Sequence, residues 1–180
     1  METIPHPPGQ YGIMAAMNQS RAGKVTIRKA CAQDQKPILN LIGKHRAADA
    51  RQARQTYREY FQAGARPRDL VFVAEKESQI VGVSGFWYDE YSDYGVYWLN
   101  WTYVHPQHRS QGIGDLLLRH VLSALRKKRA RKLFVDTSAN PSYQRGLRFY
   151  LAHGFKLEGI LRDYYGPGED QIILGKELSS

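Results

Sequence analysis

The feature that most constrains the fold is the segment from Tyr103 to Leu122, YVHPQHRSQGIGDLLLRHVL. A β-type run ends at His105–Pro106, a basic loop follows, and Gly112 and Gly114 then precede an apolar helical pattern. The rest of the chain continues this alternation of strand and helix, which predicts an α/β or α+β domain around one mixed sheet. The start of the helix presents unpaired backbone N–H groups, so the junction is a candidate anion site.

Apolar periodicity predicts the individual elements. Strands are predicted in KVTIRKA, in both halves of DLVFVAEKESQIVGVSGFWYDE around a tight turn at Lys76–Gln79, in YGVYWLNWTYV, in KLFVDTS, and in a closing hairpin of GFKLEGILRDYY and DQIILGKEL. Helices are predicted in DQKPILNLIGKHRAAD and ARQARQTYREYFQAG with a break near Ala47–Ala50, from Ile113 to Lys128, and from Pro141 to His153. No internal repeat is present.

The same pattern predicts which faces are buried. The helix from Ile113 carries one apolar stripe, formed by Ile113, Leu117, Val121 and Ala124, with Leu116 beside it. In the aromatic strand, simple alternation puts Tyr97, Leu99, Trp101 and Tyr103 on one face and Trp98, Asn100, Thr102 and Val104 on the other. One of these faces is expected to pack on helices, and the other to form the floor of a site.

Length and composition limit the class of protein. The 180 residues fit one domain at 24–180 with an N-terminal arm at 1–23, where prolines and glycines oppose regular structure. The single cysteine, Cys31, excludes an internal disulfide framework and a cysteine-based zinc site, and no metal site is predicted. No apolar run approaches the roughly 20 residues of a membrane span, and the N-terminus lacks the pattern of a signal peptide. We expect a cytoplasmic protein without a membrane partner.

The glycine junction has the residue types of a pyrophosphate site. Glycine lets a ligand approach the backbone, and Arg109 and Gln111 add side-chain donors at the rim. A bare Gly-x-Gly before a helix is often only a tight turn, but Arg109-x-x-Gly112-x-Gly114 after a Val-His-Pro strand end favours an anion site. The pattern is neither a P-loop nor the dinucleotide fingerprint.

Two separated segments resemble the GCN5-related N-acetyltransferase (GNAT) superfamily. VHPQHRSQGIGDLLL is similar to its acetyl-CoA-binding segment, and RFYLAHGFKLEG, Arg148 to Gly159, is similar to its Tyr-x-x-x-Gly-Phe segment. The ending GILRDYYGPGEDQIILGKEL resembles a bacterial and archaeal branch, and the paired Tyr164 and Tyr165 resemble those of ribosomal-protein N-terminal acetyltransferases. The resemblance covers Val25 to Leu178 and implies a mostly antiparallel sheet with splayed central strands.

The resemblance implies acetyl-CoA as co-substrate and a set of residues that hold it. The backbone of the central strand would bind the pantetheine arm, the glycine loop would bind the pyrophosphate, and the Val104 N–H would polarise the acetyl carbonyl. An amine would attack the thioester directly, without an enzyme nucleophile. The implied binding residues are Thr102, Tyr103, Val104, Arg109, Gln111, Gly112, Ile113, Gly114 and Asp115, with Asn140 as a shifted equivalent of an asparagine whose usual position holds Tyr143.

The resemblance assigns Tyr150 as the general acid that protonates the departing thiolate. A phenol has a reference pKa near ~10 and carries its proton at neutral pH. The alternative is that Tyr150 only packs with Leu147 and Leu151, and the Gly154–Phe155 pair that follows favours the acid role.

The general base is harder to assign. Many relatives place a glutamate where this chain has Asn100 and Trp101, neither of which accepts a proton usefully. Asp136 is the candidate base, although a structural hydrogen bond near Thr137 or Ser138 explains it equally well. The other candidates, in a loop for which a solvated turn is the favoured interpretation, are Asp89, Glu90 and Asp93.

The net charge of +9 implies attraction to anions, which include nucleic acid, an acidic protein and a phosphorylated small molecule. The run RKKRARK, Arg126 to Lys132, is interpreted first as a solvated helix end, second as a site that steers coenzyme A, and third as a nucleic-acid contact, since no nucleic-acid motif accompanies it.

These observations favour an acetyl-CoA-dependent N-acetyltransferase acting on a primary amine. One alternative is acetylation of a protein N-terminus, for which Tyr164 and Tyr165 would border the acceptor. The rival class is a non-catalytic acyl-CoA-binding or nucleic-acid-binding module. The oligomeric state stays open, with a homodimer among the candidates.

Overall fold

The computed structural model describes residues 23–62, 67–92 and 94–178, so residues 1–22 of the predicted arm (1–23) and the loop residue Asp93 lie outside the described residues. The strands are β1 (Thr26–Lys29), β2 (Leu70–Lys76), β3 (Gln79–Tyr88), β4 (Val96–Val104), β5 (Lys132–Ser138), β6 (Lys156–Gly166) and β7 (Glu169–Glu177). The helices are α1 (Gln35–Gly43), α2 (Ala47–Gln62), α3 (Ile113–Lys127) and α4 (Gln144–Ala152). Among these residues no helix has the length and apolar character needed to cross a bilayer.

One sheet holds all seven strands in the order β1-β2-β3-β4-β5-β7-β6. Every neighbouring pair is antiparallel except β4 and β5, which are parallel. The predicted mixed, mostly antiparallel sheet is confirmed. The predicted tight turn is confirmed as well, since Glu77 and Ser78 both have positive φ, as a two-residue hairpin of type I′ requires.

The two central strands separate halfway along their length. Pairing between β4 and β5 covers Val96 to Trp98 and Lys132 to Phe134. Beyond that point β4 stays with β3 as far as Val104, while β5 stays with β7 as far as Ser138. The strands therefore splay apart and leave a cleft between their C-terminal halves, which confirms the predicted splay.

A β-bulge in β4 reverses the predicted faces of that strand. Gly85 faces Asn100 but Val83 faces Tyr103, so β4 carries one extra residue over this stretch. As a result Tyr97 and Leu99 pack on the α3 side, whereas Trp101 and Tyr103 pack with the α1 and α2 side. The prediction that these four residues share a face is wrong, because strict alternation fails across a bulge.

The helices cover both faces of the sheet. Ile38, Leu41 and Ile42 of α1 and Tyr57 of α2 pack on Val71, Val73 and Val83. On the opposite face, α3 and α4 form the larger core with the other side chains of the same strands. This arrangement leaves the cleft between β4 and β5 bordered by α2 on one side and by the starts of α3 and the body of α4 on the other.

Two details of the predicted helices need correction. The break between α1 and α2 lies at residues 44–46, a few residues before the predicted Ala47–Ala50, because Ala47 and Asp49 already belong to α2. In α3 the buried stripe is Ile113, Leu117, Leu118, Val121 and Leu125, so Leu118 and Leu125 take the places predicted for Leu116 and Ala124. Leu125 removes more apolar surface from water than Ala124 would, whereas Leu116 and Leu118 are equally large and differ only in the helix face on which they lie.

Gly85 gives a direct test of the packing around the bulge. A Cβ at this buried position would lie 2.5 Å from the Leu70 carbonyl oxygen and 3.0 Å from Val71 Cα. We expect Gly85→Ala to lower the free energy of unfolding by ~2–3 kcal/mol, since backbone atoms cannot yield to overpacking. The matched control is Gly146→Ala in α4, where a Cβ meets nothing within 4 Å. It should stabilise by up to ~1 kcal/mol in urea unfolding, and equal behaviour of both variants would contradict the bulge geometry.

Candidate active site

A cavity of about 910 Å³ occupies the cleft between the splayed strands. Its walls come from β4, the glycine loop with the start of α3, β5, α4, the α1–α2 turn with α2, and the β6–β7 hairpin. The volume lies in the upper part of the range for small-molecule sites, ~300–1,000 Å³. The strand splay is what creates this cavity, since paired strands would fill the space with backbone.

The glycine loop sets the N-terminal end of α3 against this cavity. A short 3-10 turn at Pro106–His108 follows β4, and Gly112 then takes φ 75° as the N-cap of α3. This left-handed conformation favours glycine, and the residues of the first helical turn, Ile113 to Asp115, line the cleft. Arg109 lines the cavity, and its Nε donates to the Val104 carbonyl oxygen at 3.3 Å. The loop thus combines a helix start with a positioned cation.

Gly114 is required for helix packing as well. A Cβ at Gly114 would approach the Phe149 ring of α4 at 3.3 Å, tighter than an ordinary contact. Asp115, one residue on, pairs with His153 at 2.7 Å between Oδ1 and Nε2. Both contacts hold the start of α3 against α4, so the glycine loop and the tyrosine helix keep a fixed relation.

The structure brings most of the predicted site residues together. The predicted residues that line the cavity are Thr102, Tyr103, Val104, Arg109, Gly112, Ile113, Gly114, Asp115, Asp136 and Tyr150. Gln111 and Asn140 do not line it. The Gln111 amide donates to the Gln107 carbonyl oxygen, and the Asn140 side chain accepts from the Ser142 N–H and hydroxyl and so caps the 3-10 turn at Pro141–Tyr143.

Tyr150 is buried in the wall that α4 contributes. Its ring packs between Phe149 and Phe155, with centroids 5.5 Å away in each case. Burial raises the pKa of Tyr150 to about 12; the nearby Asp136 charge adds to this, and an interaction with the Thr102 side chain opposes it. The phenol therefore holds its proton throughout the neutral pH range.

Asp136 lies on β5 and anchors the β6–β7 hairpin. Its Oδ2 accepts from the Gln171 amide at 2.9 Å and from the Tyr165 hydroxyl at 3.2 Å. Burial, followed by the Asp136 charge, raises the pKa of Tyr165 to about 12. Tyr164 also lines the cavity and is 58% exposed, so the tyrosine pair borders the cleft from the hairpin side.

The structure adds a cluster that the sequence analysis missed. Asp49 of α2 is 3% exposed and accepts two phenol hydrogen bonds of 2.7 Å, from Tyr103 at Oδ2 and from Tyr143 at Oδ1. Arg46 donates to the Tyr143 oxygen at 3.1 Å. The ring of His45 lies 5.3 Å from each of the two tyrosine rings. All five residues line the cavity, and the only sequence signal was the tyrosine at 143 in place of the expected asparagine.

Burial and nearby charges keep the two tyrosines and the histidine of this cluster in their neutral forms. Burial, and after it the Asp49 carboxylate, holds the pKa of Tyr103 well above its ordinary value and raises that of Tyr143 to about 12. Burial lowers the pKa of His45; Asp49 opposes the shift, and Arg109 and Arg46 reinforce it. At neutral pH both phenols keep their protons and the imidazole is uncharged.

The remaining charged candidates lie away from the cavity. Asp89 accepts from the Trp98 indole N–H at 3.0 Å in the β3–β4 loop, and neither Asp89 nor Glu90 lines the cleft. The basic run Arg126–Lys132 lies at the C-terminal end of α3, opposite the glycine loop. Within it Lys128 and Arg131 donate to the carbonyl oxygens of Pro67 and Tyr94, and Lys132 pairs with Glu158 and Glu177. These contacts favour the interpretation as a helix end.

Comparison with known proteins places the chain among acetyltransferases. In sequence, it is 28% identical over 105 residues to a Bacillus subtilis (strain 168) protein described as a [ribosomal protein bS18]-alanine N-acetyltransferase, and the match spans 57% of this chain and 64% of that relative. In structure, it is similar to a Desulfovibrio desulfuricans protein described as an acetyltransferase of the GNAT family, at a TM-score of 0.80 and 26% identity, over 87% of this chain and 100% of the other.

A Salmonella typhimurium protein described as an acetyltransferase, solved with its cofactor acetyl-CoA, shares the fold at a TM-score of 0.68 and 19% identity, over 87% of this chain and 95% of the other. The acetyltransferase (GNAT) domain family matches residues 67–157, which run from just before β2 through the glycine loop and Tyr150 to the start of β6. The chain therefore belongs to the acetyltransferase (GNAT) domain family.

Proposed function

We propose that this protein transfers the acetyl group of acetyl-CoA to a primary amine by direct attack on the thioester. The observation that carries the proposal is the cavity between β4 and β5, which has a left-handed glycine and a helix start at one end and the buried phenol of Tyr150 in its wall. Family membership supports the reaction class. The similarity to a protein solved with acetyl-CoA supports the co-substrate.

The cavity suits the chemistry of acetyl-CoA. The pyrophosphate would accept hydrogen bonds from the first N–H groups of α3 and the charge of Arg109, while Arg145 of α4 also lines the cleft. The Asp115 carboxylate, which would repel an anion, is already paired with His153. The pantetheine arm would lie along Thr102 to Val104, where β4 no longer pairs with β5.

The Val104 N–H is oriented to act as an oxyanion donor. His105 donates its N–H to the Val81 carbonyl oxygen at 2.8 Å and so faces β3. Successive N–H groups on a strand point to opposite edges, so the Val104 N–H faces the cleft. An acetyl carbonyl bound there would gain charge as the amine attacks, and a fixed N–H donor stabilises that charge.

In the reaction the amine nitrogen bonds to the carbonyl carbon, the carbon–sulfur bond breaks, and sulfur leaves as a thiolate. We propose that Tyr150 donates its proton to this sulfur. The phenol is in the wall of the cavity, and its raised pKa keeps it protonated until charge develops. We propose that Asp136 fixes the hairpin around the acceptor through Tyr165 and Gln171.

A second candidate acceptor is the N-terminal alanine of a protein. The curated relative of Bacillus subtilis is described with that activity, and in this chain Tyr164 and Tyr165 border the cleft at the hairpin. A peptide N-terminus presents an α-amine that is partly neutral at pH 7, since its ordinary pKa is about 7.7–8.0. An α-amine needs less activation than the amine of a lysine side chain.

Binding and turnover test the proposal separately. Calorimetry should show acetyl-CoA binding to the purified chain, and a thiol reagent should detect coenzyme A release with a panel of small primary amines and alanine-initiated peptides. Preference for the peptides would select the second candidate. Binding without turnover across the panel would instead support a non-catalytic acyl-CoA module, and absence of binding would contradict the proposal as a whole.

A further inference from the structure

The β4 position at which a carboxylate would serve as general base holds an asparagine in this chain, and its side-chain amide already makes a hydrogen bond. Asn100 is 7% exposed, and its Oδ1 accepts from the Trp101 N–H at 2.7 Å within the bulge. An amide cannot take a proton at neutral pH. A base for the proposed reaction must therefore come from another element of the cavity.

The acids that line the cavity among the described residues are each held by a partner. Asp49 accepts a phenol at each oxygen, Asp115 pairs with His153, and Glu169 accepts from the Ser138 hydroxyl. Asp136 binds Gln171 and Tyr165 through one oxygen. Asp49 is therefore engaged at both oxygens, whereas Asp115, Glu169 and Asp136 are each held through one.

His45 differs from these acids in its surroundings. It is half-buried in the cavity wall, its ring is fixed between the rings of Tyr103 and Tyr143, and its nitrogens make no hydrogen bond within the described part of the chain. Tyr103 directly precedes Val104, the proposed oxyanion donor. The imidazole therefore lies on the α2 side of the cleft, beside the strand segment at which the acetyl carbonyl would bind.

We propose that His45 is the general base that takes a proton from the acceptor amine as it attacks the thioester, an assignment that rests on the proposed function. The nitrogen–carbon bond forms, the amine proton passes to the imidazole, and the carbon–sulfur bond breaks as Tyr150 donates its proton to sulfur. The imidazolium then returns its proton to solvent, and the Tyr150 phenolate regains one. Free amine and acetyl-CoA become amide and coenzyme A, with protons balanced.

The charges that face His45 suit this role. The titratable and charged groups packed around it are Arg46, Asp49, Tyr103, Arg109 and Tyr143. Burial, with a smaller contribution from the two arginines, lowers the pKa of His45, so the resting imidazole is neutral and can accept a proton. The Asp49 side chain, which accepts hydrogen bonds from two phenols, lies close enough to favour the imidazolium that results.

The test compares wild type, His45→Gln and the matched control His120→Gln, whose exposed imidazole on α3 does not line the cavity. An alanine-initiated peptide serves as acceptor. We expect His45→Gln to lower kcat/KM by ~10²-fold, the usual scale for a lost general base, with unchanged acetyl-CoA affinity. His120→Gln should retain wild-type rates. His45→Ala should recover activity with added imidazole, which a purely structural role does not predict.

The pH profile distinguishes catalysis from positioning. Both the amine and the histidine base must be neutral for the reaction. Below the pKa values of both groups, log kcat/KM should therefore rise with pH with slope 2 in wild type and with slope 1 in His45→Gln. The steeper part of the wild-type profile, which reports His45, should lie below pH 6.5. Slope 2 in a folded His45→Gln, or loss of the steeper part of the profile in Asp136→Asn instead, would overturn the assignment of His45 as base and leave the proposed function standing. A wild type that binds no acetyl-CoA and acetylates no amine would overturn the proposed function as well.

Discussion

Replacing Tyr150 with phenylalanine should lower the single-turnover rate of acetyl transfer by ~10²-fold, while acetyl-CoA affinity and the fold change little. The substitution keeps the ring that packs between Phe149 and Phe155 and removes only the hydroxyl. The lost interaction with Thr102 should cost no more than ~1 kcal/mol of stability, the usual value for one hydrogen bond. This variant therefore separates the contribution of the ring to packing from the contribution of the hydroxyl to catalysis.

The size of this effect follows from the environment of the phenol. With a pKa of about 12, the group holds its proton tightly and acts chiefly by donating a hydrogen bond to sulfur as charge develops there. A thiol has an ordinary pKa near ~8.5, so the thiolate leaves readily and part of the rate survives without the donor. We therefore expect a loss at the lower end of the range for a general acid, ~10²–10⁴-fold.

Single-turnover kinetics with pre-bound acetyl-CoA is the appropriate measurement, because product release cannot mask the chemical step there. The pH–rate profiles of wild type and Tyr150→Phe should run parallel below pH ~10, since the phenol does not ionise in that range. Full activity in a folded Tyr150→Phe would reduce the residue to a packing role and require another donor.

Replacing Arg109 with glutamine should weaken acetyl-CoA binding by ~10–100-fold, because a hydrogen bond to a charged group contributes about 1.5–3 kcal/mol. The guanidinium is held in the cavity wall by its hydrogen bond to the Val104 carbonyl oxygen. Because the side chain is already ordered, ligand binding costs it little additional conformational entropy. Its charge adds to the N–H groups at the start of α3. Calorimetry at several salt concentrations should show the difference shrinking as salt rises.

The control for Arg109→Gln is Arg119→Gln, which removes the same charge from an exposed position on α3 that does not line the cavity. Equal loss of affinity in both variants would mean that net charge attracts the ligand. An unchanged dissociation constant in a folded Arg109→Gln would contradict the location of the pyrophosphate. Both outcomes are read from binding alone and do not depend on the acceptor.

The sequence alone determined the features that depend on neighbours along the chain. The glycine loop with α3, the tight turn between β2 and β3, and the order of strands and helices follow from turn residues and apolar periodicity. The resemblance carried by Gly112, Gly114 and Tyr150 identified the family, because those residues lie in two short contiguous motifs.

Only the tertiary structure decided which distant groups meet. Asp49 precedes Tyr103 and Tyr143 by 54 and 94 positions, and on an isolated α2 it would pass for an ordinary solvated acid. The bulge at Asn100 likewise has no local signal, yet it turns Tyr103 toward Asp49 and away from the face shared by Tyr97 and Leu99. A side chain's neighbours across a sheet depend on register and strand splay, which arise from the packing of the whole domain, whereas periodicity reports only which residues seek burial.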